Sequence, residues 1–287
     1  KYKEASKEIF KIFKCYTKKI EPVSIDEAYL DVSGSNYCGG DPEEMARQIR
    51  SCIKNDFKIT ASAGISSNKL VAKICSDWKK PDNQFSICDD EIKEFMINVH
   101  LKKIPGIGKV NFEKCKKLNM QMCDDMYNLS IGELVQLFGS YGSSLYNLIR
   151  GIDHREVEEN RVRKSISVED TFINDLREIR SCTDKITILY SKLIERCNDS
   201  NICASAAKEI FLKIKFSDFE TITRQKKCDT LSVNNFIDLF TNNIIKVEKP
   251  IRLLGIGFKL KEKENINKEN EIAVDKDLSK TLQKQAV

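Results

Sequence analysis

Strand-like and helix-like patterns alternate over the first 97 residues, and this alternation excludes more folds than any other feature of the sequence. Apolar residues recur at helical spacing in some segments and at every second position in others. One helix start is well marked, because Asp41 is a favoured cap and Pro42 suits the first helical position. Helices that alternate with strands predict a mixed sheet with helices packed on one side. The expected order is helix 2–20, two strands within 22–33, helix 41–57, strand 59–65, helix 66–80 and strand 84–88.

The pattern changes twice further along the chain. From about residue 98, short helices alternate with glycine turns, which predicts a helical region over 98–160. Strand patterns then return around a long helix at about 182–198, which predicts an α+β region over 161–261. Residues 262–287 are rich in Lys, Glu and Asn and lack an apolar stripe, so we expect disorder there. The sequence therefore predicts an α+β protein of several domains.

Composition excludes several classes of protein. Of the 287 residues, 41% are hydrophobic and 32% are charged, as in soluble globular proteins. No run reaches the roughly 18 apolar residues of a membrane-spanning helix and no signal peptide opens the chain, so we expect an intracellular protein without membrane contact. The eleven cysteines are scattered and only two histidines are present, which favours reduced, mostly buried thiols over a zinc site or a disulfide framework. The net charge of +5 does not by itself identify a partner.

Two adjacent carboxylates, Asp26 and Glu27, interrupt the apolar run EPVSIDEAYLDVSG. In a straight strand they would point to opposite faces, whereas at a hairpin tip both can converge on one site. Carboxylate oxygens suit Mg²⁺, which often takes one or two protein carboxylates together with substrate phosphates. An acidic hairpin turn without a metal is an equally good interpretation of the pattern alone.

A basic helix offers groups that could bind phosphate. Its sequence, SSNKLVAKICSDWKKP, contains Lys73, Lys79 and Lys80, and the turn before it offers backbone N–H groups. A solvated basic face is the simpler alternative for the helix taken alone. Lys73 lies beside an apolar stripe, past which its ammonium group could extend to water.

The segment IPGIGKV is typical of a helix-hairpin-helix turn. Gly106 and Gly108 let the backbone approach a phosphate, and Lys109 adds positive charge at the start of the next helix. The pattern favours binding to a nucleic-acid backbone without sequence preference, although a plain turn between two helices remains an alternative.

The last region carries many basic residues on predicted strands and turns. If their side chains point to one side, this face would hold phosphates and carry little sequence information. An ordinary solvated sheet face is the alternative. The residues are Arg161, Arg163, Lys164, Lys213, Lys215, Arg224, Lys226 and Lys227.

Four of these segments occur together in one known family. SIDEAYLDV, AGISSNKLVAKICSDWKKP, IPGIGKV and RVRKSISVEDTF stand in the order and spacing of Y-family translesion DNA polymerases, and the set most resembles the polymerase kappa / DNA polymerase IV branch. The resemblance runs from Lys1 to about Lys261. It implies a right-hand polymerase in which residues 1–97 are most of the palm, 98–160 the thumb and 161–261 the little finger.

The resemblance also implies roles for individual residues. Asp26 and Glu27 would hold catalytic Mg²⁺, with two ions in the complete protein, and Lys80 would contact the triphosphate of the incoming nucleotide, as would Lys73. Gly106, Gly108 and Lys109 would hold backbone phosphates of the duplex together with the basic residues of the last region. The implied activity is low-fidelity, template-directed DNA synthesis across damaged template. The implied partners are primer-template DNA, deoxynucleoside triphosphates and a sliding clamp bound through regions outside this chain.

One departure from the family limits these expectations. The family's first palm strand, which carries another metal-binding Asp, and its fingers precede the segment that matches Lys1, so we expect a fragment. The fragment should bind primer-template DNA and extend primers poorly. Two alternatives are a non-catalytic DNA-binding remnant of such a polymerase and, less well supported, a metal-dependent nuclease. The kappa-like features lead us to expect a nuclear protein.

Overall fold

The computed structural model describes residues 1–160, 162–228, 230–244 and 247–261. Arg161 and the tail 262–287, for which disorder is predicted, lie outside these ranges. The chain forms two compact units, Lys1–Arg161 and Val162–Val287. Each unit contains its own hydrophobic core.

The first unit begins with alternating helices and strands and continues as a set of short helices. This order agrees with the change of pattern predicted near residue 98. Its elements are α1 (Tyr2–Tyr16), β1 (Ile20–Pro22), β2 (Ala28–Leu30), α2 (Pro42–Phe57), β3 (Ala63–Ile65), α3 (Lys69–Ser76), β4 (Gln84–Ser86), α4 (Ile92–Ile97), α5 (Lys109–Lys117), α6 (Asp124–Tyr127), α7 (Ile131–Phe138) and α8 (Tyr141–Leu148), with 3₁₀ turns at Tyr37–Gly40, Asp89–Glu91 and Leu101–Lys103.

The helix ends follow the chemistry of their capping residues. The Asp41 side chain accepts a hydrogen bond from the Glu43 N–H (2.9 Å) at the start of α2, where Pro42 is the first helical residue. The Asn68 side chain caps α3 in the same way by accepting from the Val71 N–H (3.0 Å). These caps fix where α2 and α3 begin, and α3 carries Lys73 of the candidate site.

The strands of the first unit differ from the prediction of one mixed sheet. Within the described ranges, β1 and β2 form an antiparallel pair, and β3 and β4 form a separate parallel pair. Each of these strands is only three residues long. The β3 strand packs directly against α3. A Cβ atom at Gly64 would lie only 1.9 Å from the carbonyl oxygen of Ala72, so this close approach requires glycine at position 64.

Helix α3 connects the two halves of the first unit. Its buried side chains Leu70, Val71, Ile74 and Cys75 belong to the same core as the buried residues of the short helices that follow. Those core residues are Met96, Val99, Leu101, Ile104, Ile107, Phe112, Cys115, Cys123, Met126, Leu134, Leu145 and Ile149. Helix α3, which carries Lys73, is therefore fixed by the helical region 92–149. It ends at Ser76, earlier than the predicted helix 66–80, so Lys79 and Lys80 lie in the turn that follows it.

The second unit is a four-stranded antiparallel sheet with two helices on one face. Its elements are β5 (Ser165–Leu176), α9 (Ile179–Asp199), β6 (Ala207–Phe216), β7 (Thr221–Lys227), α10 (Val233–Thr241) and β8 (Ile251–Leu260), with a 3₁₀ turn at Ala204–Ala206. The strand order is β5-β8-β6-β7, and α9 and α10 pack on the sheet. Leu212 and Ile214 point into this core. Because side chains alternate along a strand, Lys213 and Lys215 lie on the opposite side, which we call the open face.

Two predictions from composition concern membranes and cysteines. Among the helices in the described part of the chain, none is long and apolar enough to cross a membrane. All eleven cysteines are free thiols, and burial raises the pKa values of Cys75 and Cys123 to about 12. The prediction that most are buried is wrong, because only five of the eleven are buried, while three are partly exposed and three, Cys15, Cys88 and Cys203, are exposed.

Candidate active site and nucleic-acid interface

The two adjacent carboxylates lie at the tip of the β1–β2 hairpin. The turn between the strands is closed by hydrogen bonds from the Val23 N–H (2.9 Å) and the Ser24 N–H (3.2 Å) to the Glu27 carbonyl oxygen. The Ser24 hydroxyl also donates to the Asp26 carboxylate. Asp26 is exposed and Glu27 is half-buried. Because the chain reverses here, both side chains line the same cleft, as the sequence predicts for a hairpin tip.

This cleft also contains both lysines that the sequence singles out for nucleotide binding. It has a volume of about 1710 Å³ and is lined by Asp26, Glu27, Lys73 and Lys80, among other residues, and we call it the carboxylate cleft. The Nζ atom of Lys73 lies 2.6 Å from Glu27 Oε1. Helix α3 therefore presents a cation directly to the hairpin tip.

The neighbouring lysines differ in their surroundings. The Nζ atom of Lys80 lies 2.5 Å from Asp77 Oδ1, and the hydrogen bond from Lys80 is the main reason why the pKa of Asp77 is lowered. The ammonium group of Lys79 lies 4.7 Å from the ring centroid of Phe85, and Lys79 does not line the carboxylate cleft. Only two of the three lysines, Lys73 and Lys80, therefore face the cleft.

The donor set of the cleft fits a hard cation in part. Asp26 and Glu27 supply carboxylate oxygens, the ligand type that Mg²⁺ prefers. Over the described ranges, no group of three or more His, Cys, Asp and Glu side chains is arranged to hold a metal ion. A cation at this tip would take only one or two protein ligands from the described residues and would need water or phosphate oxygens for the rest. It would also compete with Lys73 for Glu27.

A second ion pair at the base of the hairpin was not predicted. Lys69, on α3, is buried with 8% of its surface exposed, and its ammonium group donates to the Glu21 carboxylate and to the Glu156 carbonyl oxygen (3.0 Å). Its Nζ atom lies 5.0 Å from the ring centroid of Tyr29. A sequence signal was available, because Lys69 and Lys73 stand four residues apart and so share one helix face.

Residues 151–158, which we call the return segment, lie against the start of α3. The Leu70 N–H donates to the Asp153 carboxylate (3.0 Å), and Arg155 donates to the same carboxylate through Nε (2.8 Å). The Asn68 side chain donates to the Gly151 carbonyl oxygen (3.0 Å), and the Glu158 N–H donates to Glu21 (2.9 Å). Only the folded chain brings these groups together, because they are 83 and 137 residues apart in sequence.

The predicted helix-hairpin-helix turn lies between the 3₁₀ turn at Leu101–Lys103 and α5. Gly106 has a positive φ of 91°, and a Cβ atom there would lie 2.6 Å from the Tyr141 ring, so the fold itself requires this glycine. Burial raises the pKa of Tyr141 to about 12. Gly108 has open space around it and caps α5, and Lys109 is exposed as the first residue of that helix. Gly108 and Lys109 are therefore the groups free to meet a phosphate.

The basic residues of the second unit do not share one face. Lys213 and Lys215 lie on the open face, where Lys213 pairs with Glu169 (2.9 Å) and Lys215 lies 4.6 Å from the ring centroid of Phe219. Arg224 pairs in register with Leu212 and so lies on the side of the helices, where its Nε donates to Asn243 (3.1 Å). By the same alternation, Lys226 lies with Arg224, and Lys227 lies with Lys213.

The remaining basic residues lie before β5. Arg163 donates to the Ser200 hydroxyl (2.9 Å), and the side chain of Lys164 is exposed. Arg161 lies outside the described ranges. The single basic face that the sequence suggested is therefore divided between the open face, the helix side and the start of β5.

Three family models match the chain in order. The model described as the impB/mucB/samB family matches residues 1–77, and the one described as its C-terminal domain matches residues 163–267. Between them, residues 102–153 match a model described as the DNA polymerase-iota thumb domain.

Relatives named DNA polymerase IV match most of the chain. Identity is 41% with the protein of Pseudomonas fluorescens, 40% with that of Legionella pneumophila and 37% with that of Ralstonia nicotianae, each over 91% of this chain. The match covers 73–74% of the length of these three relatives.

Solved structures of the same class have the same fold. A Y-family DNA polymerase chimera of Dbh and Dpo4 is 26% identical, with a TM-score of 0.77 over 90% of this chain and 75% of that one. A Dbh ternary complex is 25% identical, with a TM-score of 0.57 over 90% of this chain and 77% of that one.

The fold, the site and these matches define a class: the Y-family DNA polymerases, template-directed translesion enzymes of α+β fold. Within that class, the chain belongs to the DNA polymerase IV family. The predicted nuclear location is wrong, because the relatives named above come from bacteria, which have no nucleus.

Proposed function

We propose that this chain carries the palm, thumb and little finger of a DNA polymerase IV and that the carboxylate cleft is its nucleotidyl-transfer site. In this assignment residues 1–97 are palm, 98–160 thumb and 161–261 little finger. The observation that supports it most directly is that Lys73 Nζ lies 2.6 Å from Glu27 Oε1 at the hairpin tip, in a cleft that Asp26 and Lys80 also line. An acidic turn without a function would not need a lysine from a neighbouring helix beside it.

In this proposal, Asp26 and Glu27 hold Mg²⁺ and the two lysines hold the phosphates of the incoming nucleotide. The chemistry that a bound Mg²⁺ supplies is activation of the attacking hydroxyl and stabilisation of charge on the phosphate. Lys73 neutralises Glu27 in the free protein and becomes available to the triphosphate when Glu27 takes a cation instead. Lys80 contributes a second positive charge, and it leaves Asp77 to do so. Positioning and charge neutralisation, not covalent chemistry, are the contributions of these residues.

Primer-template DNA is the proposed macromolecular partner, and deoxynucleoside triphosphates are the proposed small substrates. The likeness to a Dbh ternary complex, a structure that includes its substrates, supports both choices. Gly108 and Lys109 would meet backbone phosphates at the N-terminus of α5. Lys213 and Lys215 on the open face would meet others. None of the described residues is assigned a contact with a sliding clamp.

Two substitutions at the hairpin tip test the metal assignment. Asp26→Asn and Glu27→Gln remove one negative charge each while keeping the side-chain shape. Each should weaken Mn²⁺ binding to the chain by about tenfold or more, measured by electron paramagnetic resonance of free Mn²⁺, and should leave the Kd for primer-template DNA within about twofold. Asp90→Asn is the matched control, because Asp90 is an exposed carboxylate that does not line the cleft.

Primer extension with Mg²⁺ separates the enzyme from a non-catalytic DNA-binding relative. Extension that is present in the native chain and lost in Asp26→Asn supports the proposed site. The two carboxylates are the only cleft ligands proposed from the described residues, so we expect extension by the chain alone to be slow. Metal binding that is identical in the native chain and in Asp26→Asn would refute the proposal.

A further inference from the structure

The β1–β2 hairpin is fixed at two points by one helix. Lys73 meets Glu27 at the hairpin tip, and Lys69, one turn earlier on α3, meets Glu21 at the hairpin base. The two contacts differ in environment. The side chains of Lys73 and Glu27 are 37% and 41% exposed, whereas those of Lys69 and Glu21 are 9% and 16% exposed. The outer pair can exchange partners with a ligand, and the inner pair is shielded from solvent.

We propose that Lys69 is a positioning residue for the metal-binding carboxylates, an inference that rests on the proposed function of Asp26 and Glu27. Lys69 does not contact the tip itself and would act through the hairpin. Its ammonium group holds the Glu21 carboxylate, and Glu21 stands five residues before Asp26, on the strand that leads into the turn. Lys69 thereby fixes β1, the strand that leads into the turn that carries both carboxylates.

The ammonium group of Lys69 is held from three sides. Besides Glu21, it contacts the Glu156 carbonyl oxygen (3.0 Å) and the face of Tyr29, which pairs with Glu21 across the hairpin. A cation this buried has little freedom to move, because leaving these partners would leave a buried charge unpaired. Lys69 is therefore a fixed point to which both strands of the hairpin are attached.

The return segment also holds the Glu21–Lys69 pair in place. The Glu158 N–H donates to Glu21 (2.9 Å), so one carboxylate joins β1, α3 and the return segment. The return segment also holds the first turn of α3, because Asp153 accepts from the Leu70 N–H (3.0 Å). A displacement of residues 151–158 would therefore reach the hairpin through Glu21 and Lys69. Partners bonded to metal ligands commonly change metal affinity by about 10- to 100-fold, and Lys69, which acts one step further away, should have an effect at the lower end of that range.

Three variants of the full chain separate positioning from simple charge pairing. Lys69→Met removes the cation and keeps an unbranched apolar side chain, Glu21→Gln removes the anion, and Lys69→Met with Glu21→Gln removes both. If Lys69 only neutralises Glu21, the double variant should recover native Mn²⁺ affinity, because no unpaired charge remains. If Lys69 positions the hairpin, the double variant should recover thermal stability but still bind Mn²⁺ about tenfold more weakly than the native chain.

The readouts are the Mn²⁺ dissociation constant, the Tm and the Kd for primer-template DNA, which should stay within about twofold. Native Mn²⁺ affinity in the double variant would overturn the inference. If Lys69→Met does not fold, Glu21→Gln alone decides: Mn²⁺ binding about threefold weaker supports positioning, and native affinity overturns it. Asp26→Asn in the same series distinguishes failure of the proposed metal site from failure of the proposed role of Lys69. If Asp26→Asn retains Mn²⁺ binding, the metal site itself is wrong, and if it loses binding while all three variants keep it, only the role of Lys69 is wrong.

Discussion

At the scale of single residues, the candidate site is a set of charges that can change partners. Glu27 contacts Lys73 at 2.6 Å, and Lys80 contacts Asp77 at 2.5 Å. Each pair is partly exposed, so neither contributes much to the free energy of folding, because water and salt screen such pairs. In the proposed function these pairs are exchangeable: a metal ion can replace Lys73 as the partner of Glu27, and a phosphate can replace Asp77 as the partner of Lys80.

Replacing Lys73 should therefore separate metal binding from nucleotide binding. In Lys73→Met the cation that competes for Glu27 is gone, so the Mn²⁺ affinity of the chain should rise by about two- to fivefold, which corresponds to less than about 1 kcal/mol. The affinity for a deoxynucleoside triphosphate should fall. Titrations of the native chain and the variant with each ligand check both directions. A fall in both affinities would show that Lys73 supports the metal site and does not compete with it.

A second residue-scale prediction concerns pH. Burial raises the pKa of the Asp153 carboxyl, but hydrogen bonds from the Arg155 side chain and backbone and from the Leu70 N–H together lower it by more, so the pKa of Asp153 in the folded chain is below its usual value. The stabilisation from the ionised form is therefore complete above about pH 4 and is lost as pH falls through the folded-state pKa. Only 3% of the Asp153 side chain is exposed, so screening by water is weak.

Asp153→Ala should thus lower the free energy of unfolding by about 1–3 kcal/mol at pH 7, because a buried N–H and Arg155 both lose their acceptor. The difference from the native chain should shrink below about pH 4. Urea denaturation at several pH values measures it. Asp56→Ala is the control, an exposed carboxylate near the end of α2. A pH-independent difference would mean that the charge of Asp153 is unimportant.

At the scale of elements, close contacts between helices explain a glycine that motif reasoning left without a role. Gly142, near the start of α8, faces the backbone of α7, and a Cβ atom there would lie 2.3 Å from the Leu134 carbonyl carbon and oxygen. Neither backbone can give way without disturbing the core residues Leu134 and Leu145. The glycine at 106 is likewise required by packing on Tyr141, whereas the one at 108 is not.

Gly142→Ala should destabilise the chain by about 1–3 kcal/mol through overpacking. Gly132→Ala is a matched control in α7, because its Cβ atom would come no closer than 3.9 Å to the Ser130 hydroxyl. The control should be stabilising by about 0.5–1 kcal/mol, since alanine is the better helix former. Chemical denaturation of both variants tests the pair. Equal stability of the two would contradict the close approach of α7 and α8.

At the scale of the whole molecule, the two units each carry basic groups suited to a nucleic-acid backbone. In the first unit these are at the start of α5, and in the second unit they are on the open face. One of these lysines, Lys213, is already paired with the carboxylate of Glu169. The net charge of +5 is consequently a poor guide to DNA affinity, and the arrangement of the cations decides it.

Lys215→Ala should weaken primer-template binding similarly for all sequences and should reduce the salt slope of log K by about one. Fluorescence anisotropy between about 50 and 200 mM salt measures this slope. Arg180→Ala is the control, an exposed cation on α9, which packs on the other side of the sheet. An unchanged slope in Lys215→Ala, or an equal loss in Arg180→Ala, would exclude the open face as the DNA contact.

The sequence alone determined the order of the elements and the chemistry of the site. Capping residues, alternation and glycine turns are local signals, so the start of α2 and the hairpin around Asp26 and Glu27 could both be predicted. The family followed from four motifs in order, and the similarity to known proteins confirms it. The division into palm, thumb and little finger stays a prediction.

Only the tertiary structure decided which distant residues meet. Glu21 contacts Lys69 across 48 residues and Glu158 across 137, and no local pattern contains that information. The face on which Arg224 lies depends on its register opposite Leu212, and a shift of one residue would reverse it. The pairing of β3 with β4, separate from the β1–β2 hairpin, likewise depends on contacts between elements. Local chemistry sets each element, but contacts between elements depend on how all of them pack together.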